Sequence, residues 1–184
     1  DLIFNGLHGG DGENGNIAAY LESLGVLFTG SGEISSRTCM DKNLSKRIVS
    51  ENGINTPKWL LTETLLTKNQ IEYLDFPIIV KPNDLGSTIG LSLVKDKKGL
   101  SAAYNDASKF TDSIILESFI RGREITVPII GSKSFPIVEI IPKNDLYDYE
   151  CKYTDGMSEY FCPADIDTAL VSYIKDVALK IHKL

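Results

Sequence analysis

A glycine-rich turn between an apolar segment and an amphipathic segment constrains the fold of this chain most strongly. Residues 2–7 are mostly apolar and predict a buried strand, and residues 10–15 follow the pattern GxGxxG. Ile17, Leu21 and Leu24 then recur at the spacing of one helix face. A strand that passes through such a turn directly into a helix starts a βα unit. The beginning of the chain therefore predicts an α/β architecture.

The periodicity of apolar residues divides the rest of the chain into further elements. It predicts helices over residues 41–51, 100–107 and 166–181. Short apolar runs bounded by Gly- or Pro-bearing turns predict strands at residues 59–61, 77–81, 89–94, 114–119, 124–130 and 137–141. Residues 142–163 are polar and lack periodicity, which predicts an extended loop of the kind that often acts as a lid.

The acidic balance of the chain limits its partners. A net charge of −6 and a pI near 5.0 argue against nucleic acid or a membrane surface. No apolar run in the sequence approaches the ~20 residues that span a bilayer. Cys39, Cys151 and Cys162 form no CxxC pair, which favours reduced thiols in the cytoplasm. The chain starts at Asp1 without a leader and stops at Leu184 within a helical pattern, which indicates a fragment.

The first glycine-rich turn permits several interpretations. Its pattern matches a dinucleotide-binding fingerprint, which would indicate a Rossmann-type oxidoreductase. A pyrophosphate at the helix N-terminus would, however, lie between Asp11 and Glu13, and two carboxylates oppose an anion. With His8 beside them, these acids suit a cation such as a substrate ammonium. The remaining alternative is that the acids only complement the dipole in the first turn of the helix.

Two lysines and a second glycine-rich turn indicate a phosphate site. Lys81 ends an apolar strand, and the turn at residues 86–90 follows without the GK[ST] ending of a Walker A loop. Its N–H groups can form an anion nest, to which Ser87 and Thr88 add hydroxyl donors. Lys42 lies at the start of a predicted helix, where the dipole disfavours a cation unless an anion is near. Together these features favour a polyphosphate, against the alternative of solvated lysines.

Acidic residues near strand ends supply further candidates. Glu117 lies within an apolar strand, and Glu124 follows one short turn later. A carboxylate at such a position suits the amino group of adenine or the hydroxyls of ribose. The alternative is a surface ion pair with Arg121 or Arg123.

The polar loop contains a cation, acids and tyrosines within residues 147–153. A closing lid would use Lys152 on phosphate and Tyr153 on substrate. By itself the segment is equally compatible with an unassigned polar loop.

In order along the chain, these motifs closely resemble those of D-alanine–D-alanine ligases, which are ATP-grasp enzymes. The matching blocks are residues 7–15, 29–32, 40–42, 80–82, 85–90, 122–127, 147–153 and 160–164. The resemblance implies an α/β (α+β) chain with a partial ATP-grasp fold, preceded by part of a Rossmann-like N-terminal domain. The implied domains are residues 1–41, 42–117 and 118–184, the last containing the lid at 142–163.

The resemblance also implies roles for individual residues. Lys42 and Lys81 bind the ATP phosphates, and Lys152 and Tyr153 belong to the lid. Glu117, Ile120, Glu124 and the Ser118 backbone line the adenine and ribose pocket. Ser87 and Thr88 lie in the phosphate-covering loop, where Ser87 also orients substrate. His8 and Glu13 lie beside the first D-alanine. The chain departs from the family at Ala18, where Gln is common, and at Ser118, where Lys is frequent.

The implied reaction is ATP-dependent ligation of two D-alanines through an acyl phosphate, for peptidoglycan synthesis in the cytoplasm. Mg²⁺ is implied as well, with its ligands beyond Leu184, so no metal ligand is assigned within the chain and the chain alone is expected to be inactive. The full-length enzyme is expected to be a homodimer. Alternatives are a non-catalytic ATP-binding fragment and a ligase for a D-hydroxy acid, although Tyr153 favours D-alanine as the second substrate.

Overall fold

The computed structural model describes residues 2–64 and 68–184, which form two compact units. The first unit comprises Asp1–Arg47 and Thr56–Phe119, and the second comprises Ile48–Asn55 and Ile120–Leu184. The domain division at residues 1–41, 42–117 and 118–184 stays a prediction. The first unit contains both glycine-rich turns, and the second contains the polar loop.

The first unit begins with the predicted βα arrangement. Its elements are β1 (Leu2–Ile3), α1 (Asn16–Ser23), β2 (Leu27–Phe28), α2 (Glu33–Met40) and the first part of α3 (Lys42–Glu51), whose residues from Ile48 onward are counted with the second unit. β1 pairs in parallel with β2, so the strand predicted over residues 2–7 is confirmed only at its first two residues. Gly15, with a φ of 90°, precedes α1, and a Cβ there would lie 2.8 Å from the carbonyl oxygen of Glu33. Only glycine therefore fits at this close approach to α2.

A four-stranded antiparallel sheet forms the rest of the first unit, with the strand order β3-β6-β4-β5. Its elements are β3 (Trp59–Thr62), α4 (Lys68–Tyr73), β4 (Ile78–Pro82), β5 (Ser92–Val94), α5 (Leu100–Ala107) and β6 (Ile114–Ser118). The predictions of strands at residues 59–61, 77–81 and 114–119 and of a helix at 100–107 are confirmed. The strand predicted at residues 89–94 is shorter, because the glycine-rich turn continues through its first residues.

The two faces of this sheet differ in chemistry because side chains alternate along each strand. Val80 and Leu116 are fully buried on one face, where they pack with α5 in the hydrophobic core. Lys81 and Glu117 belong to the opposite face, and Glu117 lies opposite Trp59 of β3 in the strand register. The core on one face thus fixes the positions of charged residues on the other.

The second unit is built on a three-stranded antiparallel sheet with the order β11-β10-β7. Its elements are β7 (Glu124–Thr126), β8 (Ile129–Ile130), β9 (Lys133–Ser134), β10 (Val138–Pro142), α6 (Tyr149–Tyr153), β11 (Ser158–Phe161) and α7 (Thr168–His182). A single strand over residues 124–130 is wrong, because β7 pairs with β10 while β8 pairs with β9. Pro128 lies between them and has no N–H to continue a ladder. The strand at residues 137–141 and the last helix are confirmed.

The prediction that residues 142–163 form an extended loop is wrong, since the segment contains α6 and β11. Asp148 caps α6 by accepting a hydrogen bond from the backbone N–H of Cys151 at 2.9 Å. Strand β11 pairs along the whole of β10 except its first residue. Elements of four or five mostly exposed residues are too short to produce a recognisable period. Within the described part of the chain, no helix is long and apolar enough to span a membrane.

Candidate functional site

A buried ion network lies on the charged face of the first unit's sheet. Glu117 Oε1 accepts a hydrogen bond from Lys81 Nζ, and Glu117 Oε2 lies 2.9 Å from Lys46 Nζ. The three side chains are between 11% and 19% exposed. Burial would raise the pKa of Glu117, but the two lysines lower it below its usual value. The suggested surface ion pair of Glu117 with Arg121 or Arg123 is therefore wrong.

Lys46 is held on three sides. Its Nζ donates to Thr56 Oγ1 at 2.7 Å, pairs with Glu117, and lies 5.1 Å from the ring centroid of Trp59. Trp59 is itself fixed, because its Nε1 donates to Asn43 Oδ1 at 2.9 Å. Burial lowers the pKa of Lys46, and Glu117 opposes that shift. No sequence pattern singled out Lys46, although its position four residues after Lys42 places both on one side of α3.

Lys42 is the first residue of α3, as predicted, and its ammonium contacts backbone carbonyl groups before the second glycine-rich turn. Its Nζ donates to the carbonyl oxygens of Asn83 at 3.1 Å and Leu85 at 2.6 Å. Burial and the charge of Lys81 lower the pKa of Lys42 to about 8, while neighbouring carboxylates oppose this. The alternative of a fully solvated lysine is wrong for Lys42, whose Nζ is bound by two carbonyl groups.

Asn83 joins the start of α3 to the segment before the glycine-rich turn. Its side chain is buried, Oδ1 accepts from the N–H of Asn43 at 2.8 Å, and Nδ2 donates to Asp41 Oδ1 at 3.0 Å. Its backbone carbonyl also accepts the N–H of Lys42 at 3.1 Å. Asn83 therefore sets the position of Lys42 relative to residues 85–90, a role that the sequence pattern did not reveal.

The second glycine-rich turn has an unusual backbone. Ser87 and Thr88 adopt φ values of 53° and 60°, in the left-handed region that non-glycine residues rarely occupy. At Gly90, with a φ of 67°, a Cβ would lie only 3.1 and 3.0 Å from the rings of Pro82 and Phe110, so a larger residue would be both strained and tightly packed. Conformations of this kind cluster at ligand-binding sites, where the surrounding structure holds them.

The first glycine-rich turn lies in the same unit. His8 Nδ1 is 2.9 Å from Glu13 Oε1, and Asp11 accepts hydrogen bonds from Asn16 and Asn14 that lower its pKa. Neither acid lies in the first turn of α1, although Asp11 lies in the first turn of a short 3₁₀ helix at Gly10–Gly12. Residues of both turns line one cleft of about 480 Å³. Its lining residues are Gly12, Glu13, Ser31, Ser35, Ser36, Cys39, Met40, Lys42, Leu85 and Gly86.

The residues predicted to contact the nucleoside lie at the end of β6 and shortly after it, and they are divided between the two units. The N–H of Ser118 donates to the carbonyl of Lys58 at 2.9 Å, and among the described residues its buried Oγ has no hydrogen-bond partner. Ile120 belongs to the second unit and is 66% exposed. Glu124 begins β7, where loss of surrounding water raises its pKa and Lys152 partly opposes the shift.

The predicted lid residues lie together in the second unit. Lys152 Nζ is 5.2 Å from the ring centroid of Tyr147, whose hydroxyl is 2.9 Å from that of Tyr160. This hydrogen bond is the main reason why the pKa of Tyr147 is raised to about 12. The Tyr153 ring lies 4.6 Å from that of Tyr149. A cation and four phenol groups thus form one cluster around α6.

Arg123 has a different role from the one considered. Its Nε and one Nη donate to the two carboxylate oxygens of Glu139 at 2.5 and 2.6 Å. The same Nη donates to the carbonyl of Asp165 at 2.8 Å. This bidentate pair links β10 to the segment before α7 and leaves Glu124 without Arg123 as its partner. In residues 2–64 and 68–184, no group of three or more His, Cys, Asp or Glu side chains is arranged to hold a metal ion.

Comparison with known proteins connects this geometry to one family. A sequence model described as "D-ala D-ala ligase C-terminus" matches residues 48–184. The D-alanine–D-alanine ligase of Aquifex aeolicus is 42% identical over the whole chain, which covers 62% of that protein. Structures of the Bacillus anthracis D-alanine–D-alanine ligase, alone and complexed with ATP, superimpose with TM-scores of 0.88 and 0.85 at 34% and 30% identity.

A third similar structure is that of VanG, the D-Ala:D-Ser ligase of Enterococcus faecalis, with a TM-score of 0.83 and 30% identity. All of this chain is covered in each structure, whereas 60%, 59% and 55% of the three solved chains are covered. The chain thus spans about 60% of the length of these relatives. The likeness confirms the predicted ATP-grasp fold, while the Rossmann-like character of the first residues stays a prediction.

Proposed function

The chain belongs to the D-alanine–D-alanine ligase family, and from this membership we propose that the protein joins two D-alanines at the expense of ATP. The observation that carries the proposal is the arrangement of Lys42 and Lys81. They come from different elements, interact electrostatically, and lie beside a turn with a ligand-binding type of backbone. Glu117 offsets the charge of Lys81 in the free protein, and a polyanion such as a triphosphate would offset the repulsion that remains between the two lysines.

The proposed chemistry has two steps. A carboxylate oxygen of the first D-alanine bonds to the γ-phosphorus of ATP as the bond to ADP breaks, which gives an acyl phosphate. The amine of the second D-alanine then bonds to that carbonyl carbon, loses a proton, and displaces phosphate. Lys42 and Lys81 offset the charge on the transferring phosphoryl group, and the N–H groups of residues 86–90 bind its oxygens.

The remaining residues bind and orient reactants in this proposal. Glu13, held by His8, binds the ammonium of the first D-alanine in the cleft, and Ser87 orients its carboxylate. Glu117, Ser118, Ile120 and Glu124 contact the nucleoside. Mg²⁺ belongs to the proposal through the family, but the described residues offer no carboxylate cluster for it, so no step is assigned to it. We further propose a cytoplasmic homodimer.

The test is a ligation assay on the protein at its natural length, with Mg²⁺ and ATP. We expect ADP release that depends on D-alanine, together with D-alanyl-D-alanine detected by mass spectrometry. Parallel reactions contain D-alanine with D-serine or D-lactate, because VanG joins D-Ala to D-Ser. Formation of a mixed product would show that D-serine or D-lactate serves as the second substrate. Binding of ATP without any product would favour the non-catalytic alternative.

The lowered pKa of Lys42 leads to a pH-dependent affinity for nucleotide. The ammonium form binds phosphate, so affinity is full below about pH 8 and falls by up to about tenfold per pH unit above it. Calorimetric titration with a non-hydrolysable ATP analogue between about pH 6.5 and about pH 9.5 measures this fall. Lys42→Arg is the matched control, because its guanidinium stays charged and should flatten the profile. The same fall in Lys42→Arg would assign the titration to another group.

We propose that residues 142–163 act as a lid over bound substrate. Cys151 is the buried residue of α6, so few apolar contacts hold this helix, whereas β11 is hydrogen-bonded to β10. Amide exchange should therefore be fast in α6 and slower in β11 in the free protein. An ATP analogue with a phosphinate dipeptide mimic should slow exchange in α6, and Tyr153→Phe should reduce that protection while ATP still binds. Equal exchange with and without these ligands would contradict a lid.

A further inference from the structure

Glu117 is a buried carboxylate shared by two lysines from different elements. Lys81 of β4 hydrogen-bonds to one of its oxygens, and Lys46 of α3 lies 2.9 Å from the other. In the free protein Lys81 is thus bound to an acid. Lys81 has to exchange this acid for a phosphate if it binds ATP as proposed above, and the inference that follows rests on that proposal.

The exchange creates an electrostatic problem at Glu117. Its side chain is only 13% exposed, so if Lys81 were the one cation beside it, the departure of Lys81 would leave a poorly solvated negative charge. That unfavourable state would hold Lys81 back from the nucleotide. A second cation that remains beside Glu117 removes most of this cost, because the carboxylate then stays paired whether or not Lys81 is present.

Lys46 is suited to be that second cation and not a phosphate ligand itself. An ammonium has three N–H donors. In Lys46 one is directed to Glu117 and one to Thr56 Oγ1 at 2.7 Å, and the ammonium also lies against the Trp59 ring. Its side chain is 11% exposed, less than the 19% of Lys81. Lys46 is therefore held by Glu117, Thr56 and the Trp59 ring, whereas Lys81 is the more accessible of the two lysines.

We propose that Lys46 is a positioning residue, which keeps Glu117 charged and in place so that Lys81 can turn to the phosphates of a nucleoside triphosphate. The charged groups that act on Glu117 are Lys46 from α3, Lys81 from β4 and, at longer range, Lys42 at the start of α3. Of these, Lys46 is the one that contacts Glu117 without belonging to the proposed phosphate site.

The first test measures the affinity of Lys46→Met for a non-hydrolysable ATP analogue by calorimetry. We expect a loss of about tenfold near neutral pH, because Lys81 then becomes the one cation among the described residues that contacts Glu117 and is kept from the nucleotide. Lys46→Arg should restore most of the affinity, and the exposed Lys97→Met is the matched control for loss of one charge. Equal binding by Lys46→Met and the unaltered protein overturns the proposal.

The second test asks whether Lys46 acts through Glu117. In a Glu117→Gln background, adding Lys46→Met should change affinity by less than about twofold, since no carboxylate remains to be compensated. If Lys46 only contributes positive potential to the site, the tenfold loss persists in that background and the proposal fails.

The third test needs no substitution and covers the case in which Lys46→Met does not fold. Nitrogen-15 spectra of the lysine ammonium groups are recorded on the unaltered protein with and without the ATP analogue. Lys81 should change its signal and Lys46 should keep it. A shift of Lys46 equal to that of Lys81 overturns the proposal. If the unaltered protein binds no nucleotide, the proposed function falls and this inference falls with it, whereas binding with an unmoved Lys81 overturns the inference alone.

Discussion

Replacement of Lys81 by alanine is expected to weaken ATP binding by about ten- to a hundredfold. The change removes a charge-assisted contact to phosphate, which contributes about 1.5–3 kcal/mol. The fold should survive, because Glu117 keeps its contact with Lys46 at 2.9 Å and does not become an isolated buried charge. Calorimetry with an ATP analogue measures the affinity, and thermal unfolding checks the fold.

The control for Lys81→Ala is Lys97→Ala, which removes an exposed lysine from the same unit. Its affinity should stay within about twofold of the unaltered protein, since exposed charges far from a ligand are screened by salt. Unchanged binding in Lys81→Ala, with the fold intact, would refute the assignment of this lysine to phosphate. Equal losses in both variants would point to a general effect of net charge.

Replacement of Asn83 by alanine is expected to lower the free energy of unfolding by about 2–4 kcal/mol. The substitution leaves the N–H of Asn43 and a carboxylate oxygen of Asp41 without their buried amide partner. Because this amide fixes the start of α3, Lys42 should also lose its alignment, and affinity for the ATP analogue should fall. Urea unfolding and calorimetry measure the two effects.

Asn105→Ala is the matched control, because Asn105 is an exposed residue within α5. Its free energy of unfolding should change by less than about 0.5 kcal/mol. A similarly small change in Asn83→Ala would show that water replaces the amide at both partners. Loss of stability with unaltered nucleotide affinity would separate Asn83 from the positioning of Lys42.

The elements that could be predicted from the sequence are those with a clear apolar period. Helices α1, α5 and α7 and strands β4 and β6 carry such patterns, and the structure confirms them. Helix α2 was not predicted, because Ser35, Ser36, Arg37 and Thr38 interrupt any apolar stripe and Ile34 is 82% exposed. Strand β11 and helix α6 were missed for a related reason, since they are short and polar.

The candidate site shows a similar division. Lys42 and Lys81 could be found from the sequence because each occupies a position where a lysine needs an explanation. Lys46 and Asn83 could not, because their importance depends on partners that are distant along the chain. Glu117 lies 71 residues after Lys46 (117 − 46). Lys42 and Asp41 lie 41 and 42 residues before Asn83 (83 − 42 and 83 − 41). A polar residue within a helix or after a strand looks like a surface residue until the pairing of strands brings its partner to it.

The alternation along β4 and β6 has a consequence for how this protein can evolve. Val80 and Lys81 are neighbours, yet one fills the core and the other belongs to the ion network; Leu116 and Glu117 repeat the arrangement. Adjacent codons are therefore under unrelated selective pressures, one for side-chain volume and the next for charge. Substitutions that conserve volume can alter the first set while keeping the charges of the second. A shift of either strand by one residue would disrupt both sets at once, so insertions and deletions are far more restricted here than substitutions.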